Sequence, residues 1–311
     1  MNAASERKLV LVTRRTRLEE LVARYHTLEQ ARFYIEHLGA DFSDYLRENA
    51  AYAQSLQLTV ETLRAWGRYQ VVDRAYLPNF LFAPDDIVVA LGQDGLVANT
   101  MKYLAGQPLV GVNPEPSRWD GILLPFAPTD LKAVIADVAS DRRASKAVTM
   151  AEARLSDGQT LRAVNDLFIG PRSHTSALYE IELGAIRESQ SSSGIIVSTG
   201  LGSTAWMRSV VTGSLGIARA MHVAGQGGGY EPLAWDAEQL MFAVREPFPS
   251  KSSTTKLIYG SVSARQPLKL RSRMPDNGVI FSDGMEADFL RFTAGVEATI
   301  TLAASRGCLV V

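Results

Sequence analysis

One carboxylate stands on a glycine-framed turn directly after an apolar run. The run covers residues 88–91, and the turn that follows is Gly92-Gln93-Asp94-Gly95. Glycine permits backbone conformations closed to other residues and lets a ligand approach the main chain closely. A carboxylate at the carboxyl end of a buried strand is well placed to act on a bound nucleotide. Asp-Gly is also a common turn pair, so an ordinary hairpin or strand–helix turn is the alternative.

An amide and a carboxylate lie side by side in a second apolar stretch, residues 163–169. They are Asn165 and Asp166. If this stretch is one continuous strand, alternation sends the two side chains to opposite faces. The inward-facing side chain would then need a hydrogen-bonding partner. The alternative is a loop or bulge that satisfies both side chains locally.

Two more stretches combine glycine with hydroxyl or carboxylate groups. Residues 198–206 form a turn rich in glycine and hydroxyl groups, which precedes a predicted helix. Such a turn offers backbone N–H groups to an anion and hydroxyls to a nucleotide, although Ser203 or Thr204 would also serve as a helix cap. Residues 281–284 contain Asp283 followed by glycine, which is equally typical of a hairpin turn.

The order and spacing of these stretches resemble the NAD kinase family over nearly the whole chain. The family's Gly-Gly-Asp-Gly loop is matched by residues 92–95, and its following Gly-[Ile/Val]-Asn strand by Gly111-Val112-Asn113. Its Asn-Glu pair corresponds to Asn165-Asp166. Its Ser-Thr-Pro-Thr-Gly-Ser-Thr-Ala-Tyr stretch corresponds to residues 198–206, and its late Asp-Gly to residues 283–284.

The resemblance is closest to the mitochondrial-type branch, through segments 111–116, 168–170, 192–194, 202–206 and 245–247. It implies a two-domain kinase that transfers a phosphoryl group from ATP or polyphosphate, with Mg²⁺, to the adenosine-ribose 2′-hydroxyl of NAD. The product would be NADP. It also implies an active site that lies between the domains and is completed across the interface of a homodimer or homotetramer.

The family's residue roles carry over to the matching positions. On the donor side, the resemblance implies that Asp94 is the general base that accepts the proton of the ribose hydroxyl. Gly92, Gln93 and Gly95 would shape the loop that holds the donor phosphates, and Asn113 is a further nucleotide-binding position.

On the dinucleotide side, Asn165 and Asp166 would hold the adenine and the ribose hydroxyls. Asp283, from a neighbouring subunit, would contact the nicotinamide end. The other dinucleotide-binding positions implied by the resemblance are Ser193, Thr204, Ala205, Trp206 and Ser209, with Trp206 stacking on the ligand.

Six positions depart from the pattern of most NAD kinases, and one of them, Ser193 in place of an aspartate, is shared with the mitochondrial-type branch. Gln93 replaces the second glycine of the loop, so its side chain either blocks a phosphate or donates a hydrogen bond to it. Leu96 replaces a threonine, and Asp166 is one methylene shorter than the usual glutamate. Leu201 replaces a hydroxyl residue, whereas Trp206 replaces a tyrosine and keeps an aromatic face.

The departures leave two other functions open. A chain that keeps the dinucleotide pocket but has lost phosphoryl transfer would be an NAD(P)-binding regulatory protein. A lipid or sphingoid kinase would share the phosphate loop, but the Asn165-Asp166 pair, residues 198–206 and residues 245–247 disfavour it.

Basic residues follow two of the predicted strands. Arg14, Arg15 and Arg17 come after the first strand and either face the donor phosphates or lie in a solvated turn. Arg172 and His174 follow the Asn-Asp stretch and either line the cleft or lie in a surface loop.

The elements that position these residues are an N-terminal α/β domain, Rossmann-like and phosphofructokinase-like, and a C-terminal β-rich, β-sandwich domain. Apolar runs that alternate with helical patterns predict a mainly parallel sheet, with strands over 8–13, 68–72, 86–91 and 108–113 and helices over 18–66, 96–103 and 130–138. Antiparallel strands are predicted over 144–155, 161–169, 177–183, 194–198, 239–244, 268–273, 279–282 and 299–302, with a helix over 203–221 and a loop at 226–229. The expected domains are 1–127 and 128–292, and the resemblance implies that the segment 293–311 returns to the first domain.

The composition is that of an ordinary globular protein. The 311 residues carry a formal net charge of −1, which argues against a protein that coats nucleic acid or an anionic membrane. No apolar run approaches the roughly 18–20 residues needed to span a bilayer. A single cysteine, Cys308, precludes an internal disulfide, and no spacing of histidine and cysteine indicates a metal site. The sequence therefore predicts a cytoplasmic protein that binds nucleotides, without nucleic-acid or membrane partners.

Overall fold

The computed structural model describes residues 7–223 and 229–311, which form two compact units. One unit runs to Lys146 and includes Cys308–Val311, and the other is Ala147–Gly307. These boundaries lie later than the predicted 127 and 292. The segment after 127 contains a helix that packs into the core of the first unit, and the segment after 292 contains a strand that pairs within the second.

The helices and strands alternate in the first unit, whereas strands dominate the second. In chain order they are β1 (Leu9–Thr13), α1 (Arg17–Tyr25), α2 (Leu28–His37), α3 (Phe42–Trp66), β2 (Tyr69–Asp73), a 3₁₀ helix (Arg74–Asn79), β3 (Ile87–Leu91), α4 (Asp94–Met101), β4 (Pro108–Val112), α5 (Leu131–Ala139), β5 (Ser145–Val148), β6 (Ala151–Leu155), β7 (Thr160–Ala163), β8 (Asp166–Pro171), β9 (Ala177–Leu183), β10 (Ile186–Ser192), β11 (Ile195–Ser198), a 3₁₀ turn (Gly202–Thr204), α6 (Trp206–Ala220), β12 (Leu240–Val244), β13 (Tyr259–Val262), β14 (Leu268–Ser272), β15 (Gly278–Ser282), β16 (Met285–Arg291), β17 (Glu297–Leu302) and β18 (Gly307–Val310).

The first unit is built on a six-stranded sheet in the order β2-β1-β3-β4-β18-β5. β1 pairs in parallel with β2 and β3, and β4 pairs in parallel with β3 and β18. Every residue of β3 is apolar and buried, as expected for a parallel strand covered on both faces. On one face, Leu11 and Val89 share a core with Leu63 of α3 and Leu131 of α5.

The second unit is a sandwich of two antiparallel sheets, in the orders β10-β9-β14-β17-β6-β7 and β13-β12-β11-β8-β15-β16. Buried residues of both sheets form one core, with Ile181 and Ile300 from the first sheet and Val197 and Phe242 from the second. α6 packs on the second sheet, where Met207 contacts the cluster formed by Ile196 and Ala243. The predicted fold class, α/β followed by a β-sandwich, is confirmed.

Two stretches predicted as single strands are each divided in the structure. Residues 144–155 form β5 and β6, and residues 161–169 form β7 and β8, which belong to different sheets of the sandwich. The chain therefore crosses between the two sheets at Val164 and Asn165. The sequence does not settle this crossing because Val164 is fully buried and the Asn165-Asp166 pair after it fits either a strand or a loop.

Two predicted helix starts also move. α4 begins at Asp94 rather than at 96, and α6 begins at Trp206 after a 3₁₀ turn rather than at 203. Of the predicted loop at 226–229, residues 226–228 lie outside the described part of the chain. None of the helices in the described part is long and apolar enough to cross a membrane.

Gly111→Ala tests the packing at the end of β4. A Cβ at this position would lie 1.9 Å from the carbonyl oxygen of Leu123, which is backbone and cannot rotate away. We expect the variant to be destabilised by about 1–3 kcal/mol or more, measured as a lower midpoint of urea unfolding. Gly216→Ala is the matched control, because a Cβ there meets open space on α6 and should stabilise by about 0.5–1 kcal/mol. Equal midpoints for Gly111→Ala and the unmodified protein would show that this packing is looser than described.

Candidate active site

The Gly92-Gln93-Asp94-Gly95 stretch joins the carboxyl end of β3 to the first turn of α4. The Gly92 N–H donates to the carbonyl of Val112, at the end of the neighbouring β4, over 3.1 Å. Gln93 is the N-cap residue of α4, but its side chain makes no capping hydrogen bond. Because the first amides of a helix lack partners within the helix, this uncapped end attracts an anion.

Asp94 is the first residue of α4, and its carboxylate is held by a peptide from a separate segment. The N–H of Leu123 donates to Oδ1 of Asp94 over 2.8 Å. The carboxyl group is half-buried, and Oδ2 accepts no hydrogen bond from any described residue. One oxygen is therefore fixed, and the other is available to accept a proton.

Asn113 shapes the loop that carries Leu123. Its side chain donates from Nδ2 to the carbonyl of Trp119 over 2.9 Å and accepts at Oδ1 from the N–H of Glu115 over 3.0 Å. Its backbone N–H donates to the carbonyl of Phe126. Asn113 was predicted to bind nucleotide, but in the described residues both ends of its amide bind the loop itself.

In the second unit, Asp283 lies in a two-residue turn between β15 and β16, with Asp283 and Gly284 both at positive φ (52° and 69°). This geometry is that of a hairpin turn, the alternative that the sequence left open. The Asp283 carboxylate accepts N–H groups from three consecutive residues: Val164 at 3.0 Å, Asn165 at 2.7 Å and Asp166 at 3.2 Å. Asp283 thus holds the crossing between the two sheets.

The Asn165-Asp166 pair is placed by this crossing rather than by strand alternation. Asn165 lies between the strands and is half-buried, and its side-chain amide bonds to no described residue. Asp166 begins β8 and is buried, and its carboxylate accepts a hydrogen bond from the Ser198 hydroxyl. The Asp166 carboxyl group is thus hydrogen-bonded by the paired strand β11, whereas the Asn165 side-chain amide bonds to no described residue, so neither side chain is satisfied locally.

The environment of Asp166 favours its protonated form. Burial raises the pKa of Asp166 to about 7, and the nearby charge of Asp283 adds to this rise, whereas the hydrogen bond from Ser198 opposes it. A carboxyl group that titrates near neutral pH accepts or donates hydrogen bonds according to its protonation state.

Within the turn at residues 198–206, side-chain hydroxyls donate hydrogen bonds to carbonyl groups of the same turn. The Ser203 hydroxyl donates to the carbonyl of Gly200 over 2.6 Å, and the Thr204 hydroxyl donates to the carbonyl of Leu201 over 3.1 Å. Neither residue caps α6, whose N-cap is Ala205 and has no side-chain cap. The N-terminus of α6 is therefore a second uncapped helix end.

Four aromatic rings form a row, which we call the aromatic strip. They are Trp206 of α6, Phe168 of β8, Phe281 of β15 and Phe289 of β16. The Phe168 ring stacks on Trp206, with centroids 5.8 Å apart, and on Phe281, with centroids 6.3 Å apart. A Cβ at Gly170 or at Gly194 would lie 2.7 Å from the Phe168 ring, so these glycines let the ring lie against the backbone.

Arginine side chains lie against both ends of the aromatic strip. Arg245 lies 5.6 Å from the ring centroid of Trp206, and Arg172 lies 3.9 Å from that of Phe289, which contacts Phe281. His174 is exposed, as the surface-loop alternative predicted.

Two further predicted positions lie close to this region. Ser193 is half-buried, and its N–H donates to the carbonyl of Arg245. Ser209 is exposed on the second turn from the start of α6 and donates to the carbonyl of Ala205 over 3.4 Å.

Two groups of this site escape sequence reasoning. Leu123 acts through its backbone N–H, and a peptide group carries no sequence signal. Ser198 was noted only as part of a hydroxyl-rich turn, and its bond to Asp166 depends on the pairing of β8 with β11. Among the described residues, no cluster of three or more histidine, cysteine, aspartate or glutamate side chains could hold a metal ion.

Sequence comparison finds one relative of known function. The chain is 34% identical to the NAD kinase of Methylococcus capsulatus (strain Bath) over 133 residues, which is 39% of this chain and 43% of the relative. The matched region thus spans less than half of the relative's length. No family model matches the chain.

Solved structures match the fold over almost the whole chain. Yeast NADH kinase complexed with NADH matches with a TM-score of 0.57 and 14% identity, over 98% of this chain and 83% of that one. An NAD kinase from Archaeoglobus fulgidus in complex with ATP matches with a TM-score of 0.56 and 14% identity, over 97% and 92%. The resemblance to the NAD kinase family is confirmed, while the mitochondrial-type branch stays a prediction.

Asp166→Asn tests the buried carboxyl group through the pH dependence of stability. The pKa of Asp166 is raised in the folded protein. Between about pH 4 and pH 7, Asp166 is therefore protonated in the folded protein and ionised in the unfolded chain. Its stabilising contribution is complete below about pH 4 and falls by about 1.4 kcal/mol per pH unit up to about pH 7. Urea unfolding at several pH values should show that Asp166→Asn removes this decline.

Asp157→Asn is the control for that series. Asp157 is exposed, and hydrogen bonds from Gln159 lower its pKa, so its titration lies below this pH range. The same slope between pH 4 and pH 7 in Asp166→Asn and in the unmodified protein would contradict the raised pKa of Asp166.

Proposed function

We propose that this chain, a relative of the NAD kinases in sequence and in fold, is itself an NAD kinase. It transfers a phosphoryl group from ATP or polyphosphate to the adenosine-ribose 2′-hydroxyl of NAD and so produces NADP. The observation that carries the proposal is the placement of Asp94. Its carboxylate lies at an uncapped helix N-terminus, with Oδ1 fixed by Leu123 and Oδ2 available.

In this mechanism Asp94 is the general base. A ribose hydroxyl is a weak nucleophile at neutral pH, and a positioned carboxylate accepts its proton as the bond to phosphorus forms. The bond between Leu123 and Oδ1 restricts rotation of the carboxyl group, so Oδ2 keeps one direction. Such fixed orientation accelerates a reaction by removing the need to align the groups.

The donor phosphates are bound at the end of β3 and the start of α4. The backbone of Gly92, Gln93 and Gly95 lines this end, and the uncapped first turn supplies N–H groups and a partial positive charge. Phosphoryl transfer needs in-line positioning and neutralisation of charge more than covalent help from the protein. Mg²⁺ keeps several waters and binds largely through substrate phosphates, so the donor phosphates can carry it into the site without a cluster of protein ligands.

The second unit supplies the groups that bind NAD. The side-chain amide of Asn165, which bonds to no described residue, donates hydrogen bonds to the adenine and accepts them from it. Asp166 binds the ribose hydroxyls, as the resemblance implies. Trp206 is 39% exposed, so part of its ring remains available for stacking. Ser193, Thr204, Ala205 and Ser209 complete the group.

A homodimer or homotetramer with a shared active site remains part of the proposal. The role expected for Asp283, contact with the nicotinamide end in a neighbouring subunit, stays a prediction. Within its own chain the Asp283 carboxylate already receives three N–H groups. We therefore assign Asp283 first to holding Asn165 and Asp166 in place.

The alternative, a dinucleotide-binding protein without phosphoryl transfer, rests on Gln93 and Leu96. Leu96 is 2% exposed, and its side chain packs beside Gly92. It therefore fills the core and does not obstruct a phosphate. Gln93 is half-buried at the uncapped helix end, where its amide can donate to a phosphate. The geometry at both departures thus favours the kinase.

Asp94→Asn tests the catalytic assignment. Asparagine has nearly the same shape and can still accept a hydrogen bond from Leu123, but it cannot take up the hydroxyl proton. General-base catalysis is worth about 10²- to 10⁴-fold, so kcat for NADP formation should fall by at least that factor. The affinity for NAD, measured by calorimetry, should change by less than about threefold.

Asp85→Asn is the matched control, because Asp85 is exposed before the opposite end of β3. It should retain full turnover. Near-normal turnover by Asp94→Asn would remove the general-base assignment. NAD binding without NADP formation by the unmodified protein, with every donor tried, would favour the binding-protein alternative.

A further inference from the structure

Arg14 lies next to the end of β3, where the donor phosphates are proposed to bind. Its side chain is buried and not in a solvated turn. It follows β1, which pairs in parallel with β3, so their carboxyl ends lie side by side. The Arg14 side chain is only 10% exposed, whereas Arg15 is exposed. A guanidinium group this deeply buried needs specific partners.

Three contacts fix the Arg14 guanidinium group. Nη2 donates to Oε1 of Glu48 over 3.0 Å, and Nη1 donates to the carbonyl of Arg15 over 2.9 Å. The group lies 5.2 Å from the ring centroid of Tyr52. The Tyr52 hydroxyl accepts the Arg14 N–H and donates to the carbonyl of Leu91, so it ties the end of β1 to the end of β3.

Glu48 pairs with Arg17 as well as with Arg14, because the Nε of Arg17 donates to the same carboxylate. Burial by itself would raise the pKa of Glu48, but the hydrogen bonds from Arg17 and Arg14 lower it below its usual value. Glu48 therefore stays ionised between Arg14 and Arg17, and Arg17 also pairs with Asp44.

The Nε of Arg14 is buried and has no hydrogen-bond partner among the described residues. It lies beside Gly92: a Cβ built on this glycine would be 3.4 Å from both Nε and Cδ of Arg14. The uncapped N-terminus of α4 begins two residues further along the chain. A buried N–H donor without a partner is costly, and a bound anion would satisfy it.

We propose that Arg14 binds the phosphate groups of the donor through its Nε–H. This inference rests on the proposed function and adds a cationic residue to the loop of Gly92, Gln93 and Gly95. The ligand chemistry is a chain of phosphates, whether of a nucleoside triphosphate or of inorganic polyphosphate. Arginine suits this role because its planar group keeps Nη1 and Nη2 on the protein while Nε faces the phosphate.

Arg14→Lys is the decisive variant, because lysine keeps the positive charge and can pair with Glu48 but has no Nε–H. Titration with inorganic tripolyphosphate, without NAD, should show at least tenfold weaker binding, and MgATP should show a similar loss. Binding of NAD alone should change by less than twofold. Arg15→Lys is the control on the exposed neighbour and should bind tripolyphosphate like the unmodified protein.

Unchanged tripolyphosphate binding by Arg14→Lys would overturn the proposal. An equal loss in Arg15→Lys would also overturn it, because the effect would then not depend on the buried Nε–H of Arg14. A loss for MgATP alone would place Arg14 on the nucleoside rather than on the phosphates, against the proposal.

A second measurement uses the unmodified protein and so does not depend on a stable variant. In protein labelled with ¹⁵N-arginine, a slowly exchanging Nε–H signal should shift when tripolyphosphate is added and stay unmoved when NAD is added. The absence of any such shift would contradict the proposal. Tripolyphosphate binding that depends on Arg14, in a protein that never forms NADP, would remove the proposed function and leave this inference standing.

Discussion

The close approach of the Leu123 peptide to the ends of β3 and β4 determines the geometry around Asp94. Gly111 has no side chain, so the carbonyl of Leu123 can pass where a Cβ would clash at 1.9 Å. The N–H on the same residue then reaches Oδ1 of Asp94. A glycine in one strand thereby fixes the orientation of a carboxylate that follows the neighbouring strand.

The loop around Leu123 is in turn held by Asn113, whose amide bonds to Glu115 and Trp119. The Gly-Val-Asn motif therefore acts as a unit: its glycine admits the loop and its asparagine folds it. This arrangement gives a physical reason for a motif that would otherwise be recognised only as a pattern. Asn113 thus bonds the loop whose Leu123 N–H reaches Asp94.

The second unit uses the reverse arrangement, in which a carboxylate holds peptides. Asp283 gathers three consecutive N–H groups at the point where the chain crosses between sheets. That crossing fixes the backbone of Asn165, whose side-chain amide bonds to no described residue. Asp166 is buried and accepts a hydrogen bond from Ser198. In both units, hydrogen bonds between a carboxylate and backbone N–H groups thus position candidate binding groups.

Much of the fold could be predicted from the sequence, since short apolar runs mark strands such as β3 and β4, which are followed by Gly92 and Asn113. The residues of the candidate site could be found as motifs, but their roles could not all be assigned. The crossing at Val164 and Asn165 was left open because the Asn165-Asp166 pair fits either a strand or a loop. Asp283 and Arg14 depend on contacts with residues distant in sequence, 164–166 and Glu48, which no local pattern encodes.

Product analysis by ³¹P NMR tests the central claim most directly. The protein would be incubated with NAD, Mg²⁺ and either ATP or polyphosphate. The account predicts a new phosphate monoester signal on the adenosine-ribose 2′-oxygen, with loss of the donor's terminal phosphate. Consumption of donor without that monoester, or phosphorylation at another hydroxyl, would contradict it.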